Sequence, residues 1–182
     1  RIRIFRNERN LGMTGNWNRC AKEARGELVI KLDSDDAFRD RALEVLVRAM
    51  DQARGVGAAV RTLLCDENLE PFGAPPADAA LLAAGFDPHT DHDLACSEWM
   101  RVAWLGHQPW LSGAVMTPRI WLAETGVYDE RFGCASDTEM VLRLLRQEGL
   151  MCHRAYVGLL YRRLPSSVSS QFRQRNWLRW EA

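Results

Sequence analysis

Leu28-Val29-Ile30-Lys31-Leu32-Asp33-Ser34-Asp35-Asp36 runs from an apolar stretch straight into three carboxylates within four positions. Apolar side chains at 28 to 30 and at 32 suit a strand buried on both faces of a parallel sheet, and open α/β folds hold ligands just beyond the carboxyl ends of such strands. The stretch predicts an α/β fold with Asp33, Asp35 and Asp36 at the mouth of a crevice. Three anions this close repel one another, so the loop must be well solvated or occupied by a divalent cation.

Asp and Ser are also ordinary turn and capping residues. Asp40, ahead of Arg41-Ala42-Leu43, can cap the following helix, and Asp36 can do so in another register. Two sharper alternatives are tested by spacing. A calcium-binding EF-hand loop starting at Asp33 would place Asp35 third and Glu44 twelfth, but the glycine it needs sixth is Phe38, which excludes it. A haloacid-dehalogenase-type phosphatase would follow its first strand with Asp-x-Asp-x-Thr/Val, and Ala37 stands at the Thr/Val place.

The upstream residues carry more information than the acids. Asn10-Leu11-Gly12 leads into Gly15-Asn16-Trp17-Asn18-Arg19-Cys20-Ala21 and then Ala24-Arg25-Gly26-Glu27. Trp17, Cys20, Ala21 and Ala24 recur at helical spacing, Thr14 suits an N-cap and Gly26 suits a helix stop. The order is loop, helix, glycine turn, strand, acids. This run resembles the family 2 glycosyltransferases of the GT-A fold, in which Asn-x-Gly, an Asn near a helix start and Ala-x-Gly precede an apolar strand ending in Asp-x-Asp-Asp. The resemblance implies an α/β, Rossmann-like GT-A domain with a mixed, mostly parallel sheet flanked by helices.

A second region resembles the other half of the family pattern. Trp110 to Met116 reads as a strand, Pro118 opens a short helix through Trp121 and Leu122, and Gly126 ends it. Gly126-Val127-Tyr128-Asp129-Glu130-Arg131-Phe132 is similar to the family's Gly-x-Phe-Asp-Glu-x-Phe turn. Ser136-Asp137-Thr138-Glu139 then resembles its acidic helix start, with Arg143 six residues after Asp137. Ser136 and Glu139 have the spacing of a capping box, which makes Glu139 structural, while Asp137 at the first helical position is favoured as a carboxylate by the helix dipole. Six residues is not a same-face spacing, so Arg143 is expected in a salt bridge elsewhere.

The resemblance implies transfer of a sugar from a nucleotide-diphosphate donor to a hydroxyl of a glycan, lipid-linked or other acceptor, of the kind that builds cell-envelope polysaccharide. It assigns Asp35 and Asp36 to a Mn²⁺ or Mg²⁺ ion and Asn10, Gly12, Asn16 and Asp33 to the donor. Asp137 is the implied general base, deprotonating an acceptor that attacks with inversion. The competing class is a non-catalytic fragment or binding module. The opening Arg1-Ile2-Arg3-Ile4-Phe5 alternates like the family's third strand. The chain thus reads as an N-terminally truncated GT-A domain over 1–163 with a tail at 164–182.

The remaining features bound the reading. With 182 residues, 47% of them hydrophobic, one core and one domain are expected. Lys+Arg 24 against Asp+Glu 24 gives no pull toward nucleic acid or an acidic membrane. No apolar run reaches transmembrane length. Cys20, Cys65, Cys96, Cys134 and Cys152 are odd in number and scattered, as for reduced thiols in a cytoplasmic setting, and the location expected with the resemblance is the cytoplasm or its side of the inner membrane. Arg41 to Ala53 is an amphipathic helix whose Leu43, Leu46, Val47 and Met50 belong to the core, Val56 to Leu64 is a strand, and Cys65 to Pro76 is loop. His89 and His92 read as a solvated turn, Trp99, Trp104 and Trp110 suit sugar stacking as well as core packing with core favoured for each, and His107 stands near the predicted strand with no motif to assign it to donor or acceptor. The tail, with Gln174-Arg175-Asn176-Trp177 and Arg179-Trp180, suits a peripheral contact with a membrane or partner.

Overall fold

The computed structural model describes residues 2–73, 76–104, 110, 112–125, 127–167 and 170. His107, Gly126 and the Arg/Trp tail from 171 onward lie outside them. In chain order the elements are α1 (Gly12–Glu23), β1 (Leu28–Ile30), β2 (Ala37–Phe38), α2 (Ala42–Ala53), β3 (Gly57–Cys65), β4 (Pro71–Gly73), α3 (Pro76–Ala83), β5 (His92–Ala95), α4 (Cys96–Trp104), β6 (Val115–Pro118), α5 (Arg119–Thr125), α6 (Ser136–Leu144) and β7 (Leu150–Arg162).

The strands form one mixed sheet in the order β1-β6-β3-β7-β2, with β4 added to β3 and β5 to β7. Only β3 and β7 pair in parallel among the described strands. The other five pairings are antiparallel, so the sheet is mixed but not mostly parallel. Because β6 is antiparallel to both β1 and β3, the strands β1, β3 and β7 still run the same way. Their carboxyl ends therefore share one edge of the sheet.

β3 is the central strand, and its successive side chains enter opposite cores. On one side Leu46, Ala49 and Met50 of α2 pack on Ala58, Val60, Met116, Cys152 and Leu159. On the other, Trp99 of α4 meets Trp110 with ring centroids 4.5 Å apart, among Ala59, Val115, Val141, Leu144 and Met151. Trp99 and Trp110 are core as expected, but Trp104 is 83% exposed.

Four local expectations are corrected. β1 ends at Ile30, is half-buried and pairs with β6 alone, so it is not enclosed in a parallel sheet. Residues 2–5 form no strand, and Ile2 and Ile4 are exposed. In α2 the buried stripe is Ala42, Leu46, Ala49 and Met50, while Leu43 and Val47 face outward, because the helix is rotated to put its small residues against the sheet. Neither Asp36 nor Asp40 caps α2; Arg41 stands at the cap in a left-handed conformation, and the Asp40 carbonyl accepts from the Tyr156 hydroxyl.

Candidate active site

The acidic loop leaves β1 at the shared carboxyl edge and returns through β2. Two attachments hold it there. β2 pairs with β7 through Ala37–Leu160 and Phe38–Leu159, and the backbone N–H of Arg162 donates to Asp36 Oδ1 at 3.0 Å. β7 is bulged opposite Val60 and Arg61, a distortion that re-aims a strand locally.

The three acids have different surroundings. Asp33 accepts from Trp17 Nε1 at 2.9 Å through one oxygen and pairs with Lys31 through the other. Lys31 Nζ also lies 4.0 Å above the Trp17 ring, a cation–π contact. Asp36 is pushed up to about 6, first by burial and then by the charges of Asp35 and Asp33, against the lowering effect of the Arg162 N–H. No described residue donates a hydrogen bond to Asp35. Among the described residues no three acid, histidine or cysteine side chains converge as a metal cage, His89 and His92 included. A cation here would need ligands from a bound phosphate, as Mg²⁺ sites commonly have. The crowded, partly unpartnered carboxylates of Asp35 and Asp36 fit such a shared ion.

Helix α1 forms one wall. Gly12 has φ +71, a conformation that L side chains resist, and its N–H donates to Asn10 Oδ1 at 2.8 Å. The Asn-x-Gly segment is thus a turn that starts the helix, with Leu11 rather than Thr14 at the cap. Thr14 is instead buried against Ser136. Asn16 Oδ1 accepts from Asn7 at 2.9 Å.

Asp137 comes from the far wall. Asp129 caps a 3₁₀ turn over Glu130–Ala135, its side chain accepting from Arg131 N, and α6 follows directly with Asp137 at its second position. The expected capping box does not form. Ser136 lies inside the helix and donates to the carbonyls of Asp129 and Gly133, while Glu139 is drawn to Arg143 at 2.6 Å. Arg143 also donates to the Val127 carbonyl, so it braces the turn, in keeping with the salt bridge expected of it.

These walls enclose a cleft of about 1230 Å³ whose lining includes Asn10, Gly12, Asn16, Asp33, Asp35, Asp36 and Asp137. All seven sequence-derived site residues therefore face one cavity. Burial raises the Tyr128 hydroxyl, and the charges of Asp137 and Asp33 both add to that shift, which places Tyr128 within the electrostatic reach of both walls. Trp17, Lys31, Tyr128 and Tyr161, none of them a site candidate on sequence grounds, also line the cleft. For Lys31 the sequence signal is a lone cation within the apolar run 28–32, where an unpaired charge is costly.

The family model for glycosyl transferase family 2 matches residues 1–102. The chain belongs to that family. The match includes the Asn-x-Gly segment, the acidic loop and the middle of the chain to residue 102, while the Asp137 region lies beyond it and its likeness to the family rests on the motifs alone. No curated protein sequence matches the chain. Among solved structures, S. aureus TarS 1-349 superposes with a TM-score of 0.65 at 16% identity over 86% of this chain and 42% of that one. Its complex with UDP-GlcNAc gives 0.62 at 14% identity over 82% and 38%, and its complex with UDP 0.59 at 15% over 81% and 39%. This family member therefore spans less than half of those structures, and its curled mixed sheet with flanking helices is the GT-A fold. No described helix is long and apolar enough to cross a membrane.

Proposed function

We propose that the complete protein is an inverting, metal-dependent glycosyltransferase that moves a sugar from a nucleoside-diphosphate donor to a hydroxyl of a glycan, lipid-linked or other acceptor. The observation that carries this reading is the single cleft with the Asp33–Asp36 loop on one wall and Asp137 on the other. Family membership supports the reaction type, and the UDP and UDP-GlcNAc complexes of S. aureus TarS in a similar fold support the donor class. The five free cysteines fit a reducing, cytoplasmic setting.

Asn10, Gly12, Asn16 and Asp33 form the donor wall. Asp35 and Asp36 are the residues to hold Mn²⁺ or Mg²⁺, which when bound supplies Lewis-acid stabilisation of a departing diphosphate. Asp137 accepts the proton of the acceptor O–H. The freed oxygen pair forms the new bond to the anomeric carbon from the face opposite the leaving group, and the diphosphate departs with the electrons of the broken C–O bond. One displacement inverts the configuration. Asp36, pinned by Arg162 N, shapes the loop, so Asp35 is the better-placed ligand of the two.

The test is product analysis on the full-length protein with nucleotide-sugar donors, Mn²⁺ and candidate acceptors. Nucleoside diphosphate released together with an inverted glycoside supports the reading. Release of inorganic phosphate would indicate a phosphatase, and absence of either product across donors and acceptors would indicate a binding module.

A further inference from the structure

We propose that Asn18 is a positioning residue for transfer, holding the wall that carries Asp137 at its working distance from the donor wall. This rests on the reading above, since it concerns the gap between the same two walls.

Asn18 and Tyr128 are 110 residues apart, yet the Asn18 amide meets the backbone of Tyr128 twice. Nδ2 donates to the Tyr128 carbonyl at 2.9 Å, and Oδ1 accepts the Tyr128 N–H at 2.8 Å. A primary amide offers a donor and an acceptor side by side, so it closes both backbone groups as a strand partner would. One turn earlier on α1, the Thr14 hydroxyl lies 3.5 Å from the Gly133 carbonyl and 3.4 Å from Ser136 Oγ. Residues 14 and 18 share a helix face, so both tie α1 to the segment that delivers Asp137.

Trp17, the neighbour of Asn18, bonds the other wall through Asp33. Its ring also packs against Tyr128, with centroids 5.2 Å apart. α1 is therefore a rigid spacer bonded to the acidic loop by one residue and to the Tyr128–Ser136 segment by two others. Ser136 hydrogen bonds to the Asp129 and Gly133 carbonyls stiffen the path from Tyr128 to Asp137. Removing the Asn18 amide releases the start of that path and leaves the donor wall bonded.

The experiment compares full-length wild type with Asn18→Ala, Asn18→Asp and Thr14→Val, using UDP with Mn²⁺ as the binding probe and UDP release from UDP-GlcNAc as the turnover probe. Asn18→Asp keeps the side-chain volume but sets a carboxylate against the Tyr128 carbonyl. Because misplacement by about 1 Å can cost on the order of 100-fold, both Asn18 variants should lose about tenfold or more in kcat. UDP affinity should stay within about twofold, and hydrogen exchange should rise selectively over residues 127–137. Thr14→Val should show a weaker form of the same split and serves if Asn18→Ala does not fold. A merely structural Asn18 would lower affinity, turnover and melting temperature together in both variants, with exchange rising across the whole chain. That pattern, or unchanged kcat with unchanged exchange, overturns the proposal. If wild type releases no UDP, the donor assignment fails, and the exchange comparison alone decides for Asn18.

Discussion

Trp17 and Asp33, both lining the cleft, are joined by a 2.9 Å hydrogen bond from the indole N–H to the carboxylate. The bond fixes the first acid of the loop against helix α1 and, with Lys31, leaves its charge largely balanced before any donor arrives. Trp17→Phe keeps an aromatic face for Lys31 and deletes only the donor N–H. A hydrogen bond to a charged group contributes about 1.5–3 kcal/mol when buried. Asp33 is partly exposed, so UDP affinity measured by calorimetry should fall by about five- to tenfold. An unchanged affinity would remove Asp33 orientation from the account.

Asp36 makes a prediction about stability. Its folded value of about 6 lies above the ordinary 3.8, chiefly because it is buried. Between these values the folded state holds the extra proton, so the group's contribution falls as pH rises from about 4 to 6 and is flat above. Asp36→Asn retains an acceptor for the Arg162 N–H and removes the charge. Without metal at pH 7 it should stabilise the protein by on the order of 1 kcal/mol, after allowance for solvent screening. Urea unfolding at pH 7 checks this, and destabilisation would contradict it.

The legible and the hidden parts of this molecule differ in physical kind. Short-range signals survived: helices α1 and α2, the central strand β3, and the order of strand and acids. The residues of the Asn-x-Gly motif line the same cleft as the acids, although Asn10 serves its turn through Gly12, and Asn18, two residues after Asn16, makes the long-range bonds. Ser136 and Glu139 have capping-box spacing, but a 3₁₀ turn supplied better partners for the serine and Arg143 captured the glutamate. Leu43 and Val47 matched the helical stripe equally well as Leu46 and Met50; only docking against Ala58 and Met116 selects the face. Strand direction depends on which strands become neighbours, and β6, which pairs antiparallel with both β1 and β3, begins at Val115, far along the chain from β1 at Leu28 and β3 at Gly57. Such choices are settled by partners distant in sequence, and one chain read alone does not show them.

His153 sits in the core, its Nδ1 accepting from Trp110 Nε1 at 3.1 Å and its Nε2 bonded to the Pro88 carbonyl at 3.1 Å. That pattern fixes the neutral tautomer. Burial, aided by nearby His92, holds its value below the ordinary 6.5, against opposing effects from the Pro88 bond and the charges of Asp78 and Asp91. A lowered value means the unfolded chain protonates first, so stability is full above about 6.5 and declines as pH falls below it. The steepest slope for one group is about 1.4 kcal/mol per pH unit. Denaturant titrations at pH 7.5 and 5.5 should show the decline in wild type and a flatter profile in His153→Gln.

Cys134 reports on Asp137. Its thiol is raised by burial and then by the Asp137 charge. Asp137→Asn should therefore increase the thiolate fraction and speed iodoacetamide labelling of Cys134 by about two- to fivefold at pH 8. Cys20, exposed on α1, provides the internal reference. Peptide mass spectrometry reads both rates. Equal Cys134 rates in the two proteins would separate the thiol from the carboxylate.

In the proposed mechanism two walls of one cleft divide the work, Asp35 serving donor and cation and Asp137 serving the acceptor. This division is tested most directly by measuring Mn²⁺-dependent UDP binding and sugar transfer in full-length Asp35→Asn and Asp137→Asn side by side. Asp35→Asn should lose both, whereas Asp137→Asn should bind UDP as wild type does and transfer at least about a hundredfold more slowly. Normal transfer by both variants, or loss of UDP binding on substituting Asp137 alone, would contradict it.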